Sequence, residues 1–554
     1  MGQDNEAVLG KLGSALEDKR AGWVLNVAIA ALVIAALLLP PVSAQDRILE
    51  AGYKTIDLET GGSVQDPDGM QLTVWPEGMT EDVKLKEESV PRASFMDGSA
   101  GSELVEAAKA LPSHLHVKSP IYEIQVKGEM PASATLIVPI PNNAEPYETL
   151  SLYDWNGEEW VFVPSQVILE EDVLEARLDY VPQTVVAAQG AAQPPAVSAQ
   201  LPDYVSLPSF GGQSLAELNP LGYYLGTDNN VEGSLPTLPE MEEGQSYLVL
   251  PTLRNWTDDG IVRSDLVDNM LAVPEASEAH IQAIVDLVVS EMYGGIDLDY
   301  QGINPDLRDA YTDLVVRLAE ALHANGKRLT IRVGAPTQIS EDSWDTGAYD
   351  WAALGQVVDG FKFPSPADPA AYAPGGQMER LLWWAVGEVE RYKLRPLFSA
   401  QSVENAGGVL LERTYRDALA ELGKLAVEQM DEVLDPGEQV KLSLGSVGIQ
   451  FDPSTGRYWF TYQDEVSGEQ RTVWLEDASS VSRKLDLLSR FNVGGVAFAA
   501  LWDEGNDPRI WNLVRDYQAS AQPEVVAMDS NFSVVWSVEN PDAGQVSEEI
   551  TGLE

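Results

Sequence analysis

From residue 203 to residue 518 short apolar runs alternate with stretches of helical period, and that alternation constrains the fold more than any other feature of the chain. A strand, a covering helix and a second strand together build a parallel sheet with helices on its outer face. The clearest unit is central: Leu307, Tyr311, Leu314, Val315, Leu318 and Leu322 recur at helical spacing, Gly326 ends that helix, and Leu329-Thr330-Ile331-Arg332-Val333 follows as a strand. Further runs at Tyr204–Leu207, Leu221–Leu225, Tyr247–Leu250, Gly295–Leu298, Val357–Phe363, Arg395–Phe398 and Val493–Ala499 bring the strands to about eight, the number that closes a (β/α)₈ TIM barrel.

The stretch ahead of the barrel has a different period. Between residues 50 and 187 short alternating runs are broken by Gly, Pro and Asn, the pattern of an all-β sandwich domain. Ile121–Val126 and Thr135–Val138 are predicted strands, and Tyr153 to Trp160 is predicted to be a hairpin turning at Asn156-Gly157. Trp155 and Trp160 of that hairpin either stack on a sugar ring or simply steady each other across the strands, the commoner use of such a pair. Gly62-Ser63-Val64 through Pro76-Glu77-Gly78, with Ser119-Pro120 and Pro139-Ile140-Pro141, is similar to the sandwich module shared by ankyrins and netrin receptors. Residues 188–202 are small, Pro-containing and uncharged, which predicts a linker. Residues 519–554 carry one alternating strand, Asn531–Val538, too little for a domain of its own but enough to begin one.

The N-terminus suggests export. Trp23 to Leu39 is apolar except for Asn26, and Lys19 and Arg20 precede it. Residues 1–45 thus fit a short cytoplasmic tail with a single-pass anchor through 23–39, N-terminus inside, or a signal peptide removed near Ala44. Either way the bulk of the chain is expected outside the cytoplasm, where envelope proteins are available as partners. A net charge of -52 repels phosphate backbones, so nucleic acid is excluded as a partner. The chain has no cysteine, which removes disulfides, thiolate nucleophiles and cysteine-ligated metals. Its four histidines are scattered; His114 and His116 are expected as a solvated edge pair, and no metal or cofactor is expected.

Gly294-Gly295-Ile296-Asp297-Leu298-Asp299-Tyr300-Gln301 carries the chemical signal. Alternate side chains at the end of a barrel strand point into the mouth, so Asp297, Asp299 and Gln301 line up on the side where such barrels do their work. The stretch resembles the Asp-x-x-Asp-x-Asp-x-Glu signature of family 18 glycoside hydrolases, closest to the branch of spore cortex-lytic and spore-germination enzymes. Tyr247–Trp256 is similar to that family's third strand and Thr346–Trp351 to the approach to its sixth. Phe451-Asp452-Pro453 through Trp474–Ser480 resembles the small insertion after the seventh strand, and Gly494-Gly495-Val496 with Asp507–Trp511 resembles the closing strand and helix.

The resemblance implies that the glutamate at the end of the signature protonates the glycosidic oxygen and that the preceding aspartate orients the substrate's N-acetyl group. Those positions are Gln301 and Asp299 here, with Asp297 as inner electrostatic partner. An amide has no transferable proton near neutral pH, so hydrolysis is expected to be lost while binding survives. Other departures agree: the outer aspartate is Gly294, the sixth strand runs Phe361-Lys362-Phe363-Pro364-Ser365-Pro366 where Met-x-Tyr-Asp is usual, and the tryptophan floor falls on Ala499. Asn255, Trp256, Tyr300 and Trp502 are the expected ligand-binding residues, with Asp503 or Glu504 as an alternative acid. The expected function is binding of a GlcNAc-containing glycan, peptidoglycan or chitin-like, at the cell envelope. A scaffold role in the envelope and a divergent active glycosidase are the alternatives.

Overall fold

The computed structural model of the protein describes residues 52–202, 214–235, 238, 247–428, 439–443, 449–464, 466–520, 533–540 and 545–551. The proposed membrane segment at 23–39 and the run Tyr204–Leu207 lie outside the described residues. Among the described residues no helix is long and apolar enough to cross a membrane.

The chain forms two compact units. The smaller comprises the described residues up to Ser89 with Glu123–Thr135 and Leu178–Val181, and the larger Val90–Tyr122, Leu136–Arg177 and the described residues from Pro182 onward. The division therefore falls inside residues 50–187 and not at the expected linker. In the smaller unit Gly62–Gln65 pairs antiparallel with Gln71–Val74, and Lys54–Ile56 with the start of Val83–Val90. Ile56, Val64, Leu72, Val74, Val83 and Leu85 alternate inward along these strands and are buried. In the larger unit the predicted hairpin is present: Leu150–Trp155 pairs with Trp160–Val163, and the Asn156 carboxamide accepts from the backbone of Glu158 and Glu159. Trp155 and Trp160 stand opposite each other with ring centroids 5.7 Å apart, and Trp160 is buried with its Nε1 donating to the Ala107 carbonyl. This pair steadies the hairpin.

Eight parallel strands close the barrel. They are β1 (Ala196–Leu201), β2 (Glu217–Leu225), β3 (Thr252–Arg254), β4 (Gly295–Asp299), β5 (Arg328–Arg332), β6 (Gly360–Pro364), β7 (Leu394–Ser399) and β8 (Gly495–Ala499). β1 pairs with both β2 and β8, which completes the ring. The first strand thus lies within residues 188–202, corrected here from linker to barrel: Val197, Ala199 and Leu201 are buried in the barrel's apolar cluster. Outward-facing Leu218, Leu253, Ile296, Leu298, Leu329, Ile331, Phe361 and Phe363 are buried in the same cluster as residues of the surrounding helices. The predicted central helix spans Arg308–His323, and Gly326 takes the left-handed φ of 66° that turns the chain back toward β5.

The insertion between β7 and β8 begins at Ser402, earlier than the sequence suggested. A five-stranded antiparallel sheet and the helix Tyr415–Glu428 share a small core of Tyr415, Leu419, Leu422, Phe460, Tyr462 and Val473. The C-terminal strand is Ser533–Asn540; it pairs with Gln439–Ser443 of this insertion and with Gln545–Thr551.

One buried histidine gives the fold a pH dependence. His280, on the helix Pro274–Ser290, has no exposed surface; its Nδ1 lies 2.7 Å from the Asn229 carbonyl and its Nε2 2.6 Å from the Tyr300 hydroxyl. A carbonyl only accepts, so Nδ1 carries the proton and Nε2 accepts from Tyr300. Burial pushes the imidazole down to about 4, against some upward pull from the Asn229 bond. A base with a depressed folded pKa takes protons first in the unfolded chain, so stability is full above about pH 6.5 and falls as pH drops toward 4, by about 3 kcal/mol in total. Thermal unfolding followed across this window is expected to show a shallower slope in His280→Gln than in the parent.

Candidate functional site

The inside of the barrel is polar. Glu217 and Asn219 of β2, Thr252 of β3, Asp297 of β4, Thr330 of β5, Lys362 of β6 and Arg395 of β7 all point inward and are buried. Register brings Thr252, Asp297 and Thr330 side by side on adjacent strands. Gly360 leaves the space that Arg395 needs, since a Cβ there would stand 2.9 Å from its guanidinium carbon. Lys362 Nζ donates to Asp297 Oδ1 at 2.7 Å, Glu217 Oε1 at 2.7 Å and Asn219 Oδ1 at 2.8 Å, while Arg395 donates to Glu217 Oε2 at 2.5 Å. Two cations and two carboxylates thus balance in the barrel floor. Burial and the charge of Glu217 lift the Asp297 carboxyl above its usual range, against the opposing pull of Lys362; in Glu217 Lys362 and Arg395 overcome burial and hold the carboxyl well down.

Above this floor lies the second carboxylate of the strand. Asp299 has no exposed surface and accepts three bonds: from Trp256 Nε1 at 3.0 Å, Arg332 at 3.1 Å and Gln301 Nε2 at 2.6 Å. Gln301 is half-buried, and its Nε2 also faces the Arg332 carbonyl at 3.3 Å. Asn255 clamps the Gln301 backbone in both directions, accepting from its N–H at 2.8 Å and donating to its carbonyl at 2.8 Å. Trp256 is half-buried with its ring 4.4 Å from the Arg254 guanidinium, and Arg332 retains 22% of its side-chain surface. Chemically, this cluster offers hydrogen-bond donors, a partly exposed guanidinium and an aromatic ring, and at position 301 an amide that cannot act as an acid.

The structure links Asp299, Gln301, Asn255 and Trp256 by hydrogen bonds, holds Asp297 in the floor beneath them, and turns two expected ligand residues away. Tyr300 points outward, is fully buried, and bonds His280; its backbone carbonyl accepts from Tyr349. Its alternation on the strand required this, because Asp299 and Gln301 face inward on either side of it. Trp502 is buried, donates to the Gln200 carbonyl at 2.6 Å and packs on Trp511 at 4.9 Å, so it supports the end of β1. Ala499 is half-buried at the end of β8. Asp503 accepts from Gln401, and its carboxyl is lifted by partial burial against that bond. Four inward-facing residues bonded to these carboxylates or to one another were not anticipated as part of the site: Glu217, Lys362, Arg395 and Arg332. A lysine between two phenylalanines in an otherwise apolar run was the available signal for Lys362. Among the described residues no group of three or more His, Asp or Glu is placed to hold a metal ion.

No family model matches the chain. Among curated proteins it is 24% identical over 286 residues to YdhD of Bacillus subtilis, described as a sporulation-specific glycosylase; the match covers 50% of this chain and 63% of that protein, less than two thirds of its length. It is 21% identical over 323 residues to the cortical fragment-lytic enzyme of Bacillus subtilis, covering 55% of this chain and 70% of the enzyme. Among solved structures, the spore cortex-lytic enzyme SleL of Bacillus megaterium aligns over 62% of this chain and 76% of its own with 18% identity and a TM-score of 0.47. The chain is thus similar to a sporulation glycosylase and to a cortical fragment-lytic enzyme, and its strand motifs resemble the spore cortex-lytic branch of glycoside hydrolase family 18.

Proposed function

We propose that the protein is an extracytoplasmic glycan-binding member of this glycosidase lineage that does not hydrolyse its ligand. The observation that carries the reading is the bond from the Gln301 amide to Asp299: the position that should hold a proton donor to substrate is occupied by a group that spends its N–H on a neighbour. The ligand is a GlcNAc-containing polymer, peptidoglycan or chitin-like, met through the half-buried Trp256 ring, Gln301 and the exposed edge of Arg332. The relatives' names, a sporulation glycosylase and a cortical fragment-lytic enzyme, support that ligand class. Anchoring through residues 23–39, or export with cleavage near Ala44, belongs to the same proposal.

Co-sedimentation with insoluble peptidoglycan, and separately with chitin, tests it. Wild type is expected to partition to the pellet, with binding about 10-fold weaker in Trp256→Ala and unchanged in Trp75→Ala, an exposed tryptophan of the smaller unit. Equal partition of the two variants would overturn the assignment of the barrel mouth as the binding site. A second reading, a scaffold subunit of the envelope, is favoured by the full burial of Asp299 and by Trp502 facing Gln200; it predicts no partition at all.

A further inference from the structure

Asp297 and Asp299 are two residues apart on one strand and point the same way, so their carboxylates should be neighbours, yet each is held by its own donors. Asp297 accepts from Thr330 at 2.6 Å, from Lys362 at 2.7 Å and from Thr252 at 3.1 Å. Asp299 accepts from Trp256, Arg332 and Gln301. The first set draws Asp297 to the floor and the second draws Asp299 to the mouth. At the centre of the first set stands Lys362, among the described residues the one cation paired with both Asp297 and Glu217. It lies in the part of the sixth strand where the sequence departs from the pattern it otherwise resembles.

We propose that Lys362 is a positioning residue that fixes Asp297 on the barrel floor and uncouples it from Asp299, so that the site is closed to hydrolysis at two independent places, Gln301 and Lys362. The inference rests on the reading that hydrolysis is absent. Its physical basis is that two adjacent carboxylates work together when one can carry a proton between them. An ammonium bonded to Asp297 opposes that proton, and the hydroxyls of Thr330 and Thr252 donate to the same carboxylate. Restoring an acid at position 301 alone therefore leaves Asp299 without a partner able to share a proton.

The test compares two variants of the full chain on a fluorogenic GlcNAc oligomer: Gln301→Glu, and Gln301→Glu combined with Lys362→Met and Glu217→Gln. The last two changes remove one cation and one anion together, leaving Asp297 and Arg395 in balance so that the barrel folds; circular dichroism and the melting curve verify this. Gln301→Glu is expected to stay within about 10-fold of the buffer rate, and the triple variant to exceed it by about 100-fold, the lower range of general acid catalysis. Adding Asp297→Asn to the triple variant is expected to return its rate to that of Gln301→Glu alone, an outcome that a merely structural Lys362 would not produce. Equal rates in the two folded variants, high or low, would overturn the proposal. Turnover by wild type would instead overturn the reading beneath it.

Discussion

Lys362→Met lowers the free energy of unfolding by about 3–5 kcal/mol, measured by chemical denaturation at pH 7.5, the range found when one partner of a buried ion pair is removed. The side chains are of similar length, so the loss is electrostatic in origin and not a cavity effect. Two buried carboxylates, Asp297 and Glu217, are left facing Arg395 alone, and the Asn219 carbonyl loses its donor. Adding Glu217→Gln returns part of the loss, since the pair then removes one charge of each sign; a coupling of about 1–3 kcal/mol between the two sites is expected from a double-mutant cycle. The deficit in Lys362→Met shrinks at pH 5. Burial and Glu217 already lift the Asp297 carboxyl, and losing Lys362 lifts it further. For a carboxyl with a raised folded pKa, the neutral form is favoured by folding, so stability is gained as pH falls and lost as pH rises through the folded pKa. An identical deficit at both pH values would show that the floor is not an electrostatic network.

The fold was legible in the sequence wherever burial forced a period on it. β4 is the clearest case: a five-residue strand with every residue buried has to alternate, and alternation placed Asp297 and Asp299 inward and Tyr300 outward before any contact was known. The same logic applied to β1, where Val197, Ala199 and Leu201 alternate with Ser198 and Gln200, but small uncharged residues after Pro194 and Pro195 have the composition of a linker as well. Closure of the ring, which requires a strand between β2 and β8, is what distinguishes the two. The floor was not legible. Lys362 meets Glu217 across 145 residues of sequence, and which inward positions share a layer depends on strand register, which the chain does not display locally. Trp502 illustrates a second limit: its place three residues beyond Ala499 suggested that it reaches into the site, and only the acceptor at Gln200 determines that the indole is buried against the end of β1.

The second large effect concerns the mouth itself. In a site whose Asp297 and Asp299 are free to share a proton, a carboxylic acid at position 301 would contribute about 10²–10⁴-fold to cleavage as a general acid, and the amide contributes none. Gln301 joins the site through its amide N–H groups, which face Asp299 and the Arg332 carbonyl, so substitution by leucine should weaken glycan binding while changing nothing in turnover. This separates a retained binding role from a retained catalytic one, because only the first responds to loss of the carboxamide.

The most direct measurement is release of fluorophore from a GlcNAc oligomer by the full chain beside Gln301→Leu and a buffer blank, over hours and at high protein concentration. A site that has lost its proton donor predicts the same trace in all three. Turnover by the wild-type protein above the blank, and its loss in Gln301→Leu, would contradict the account.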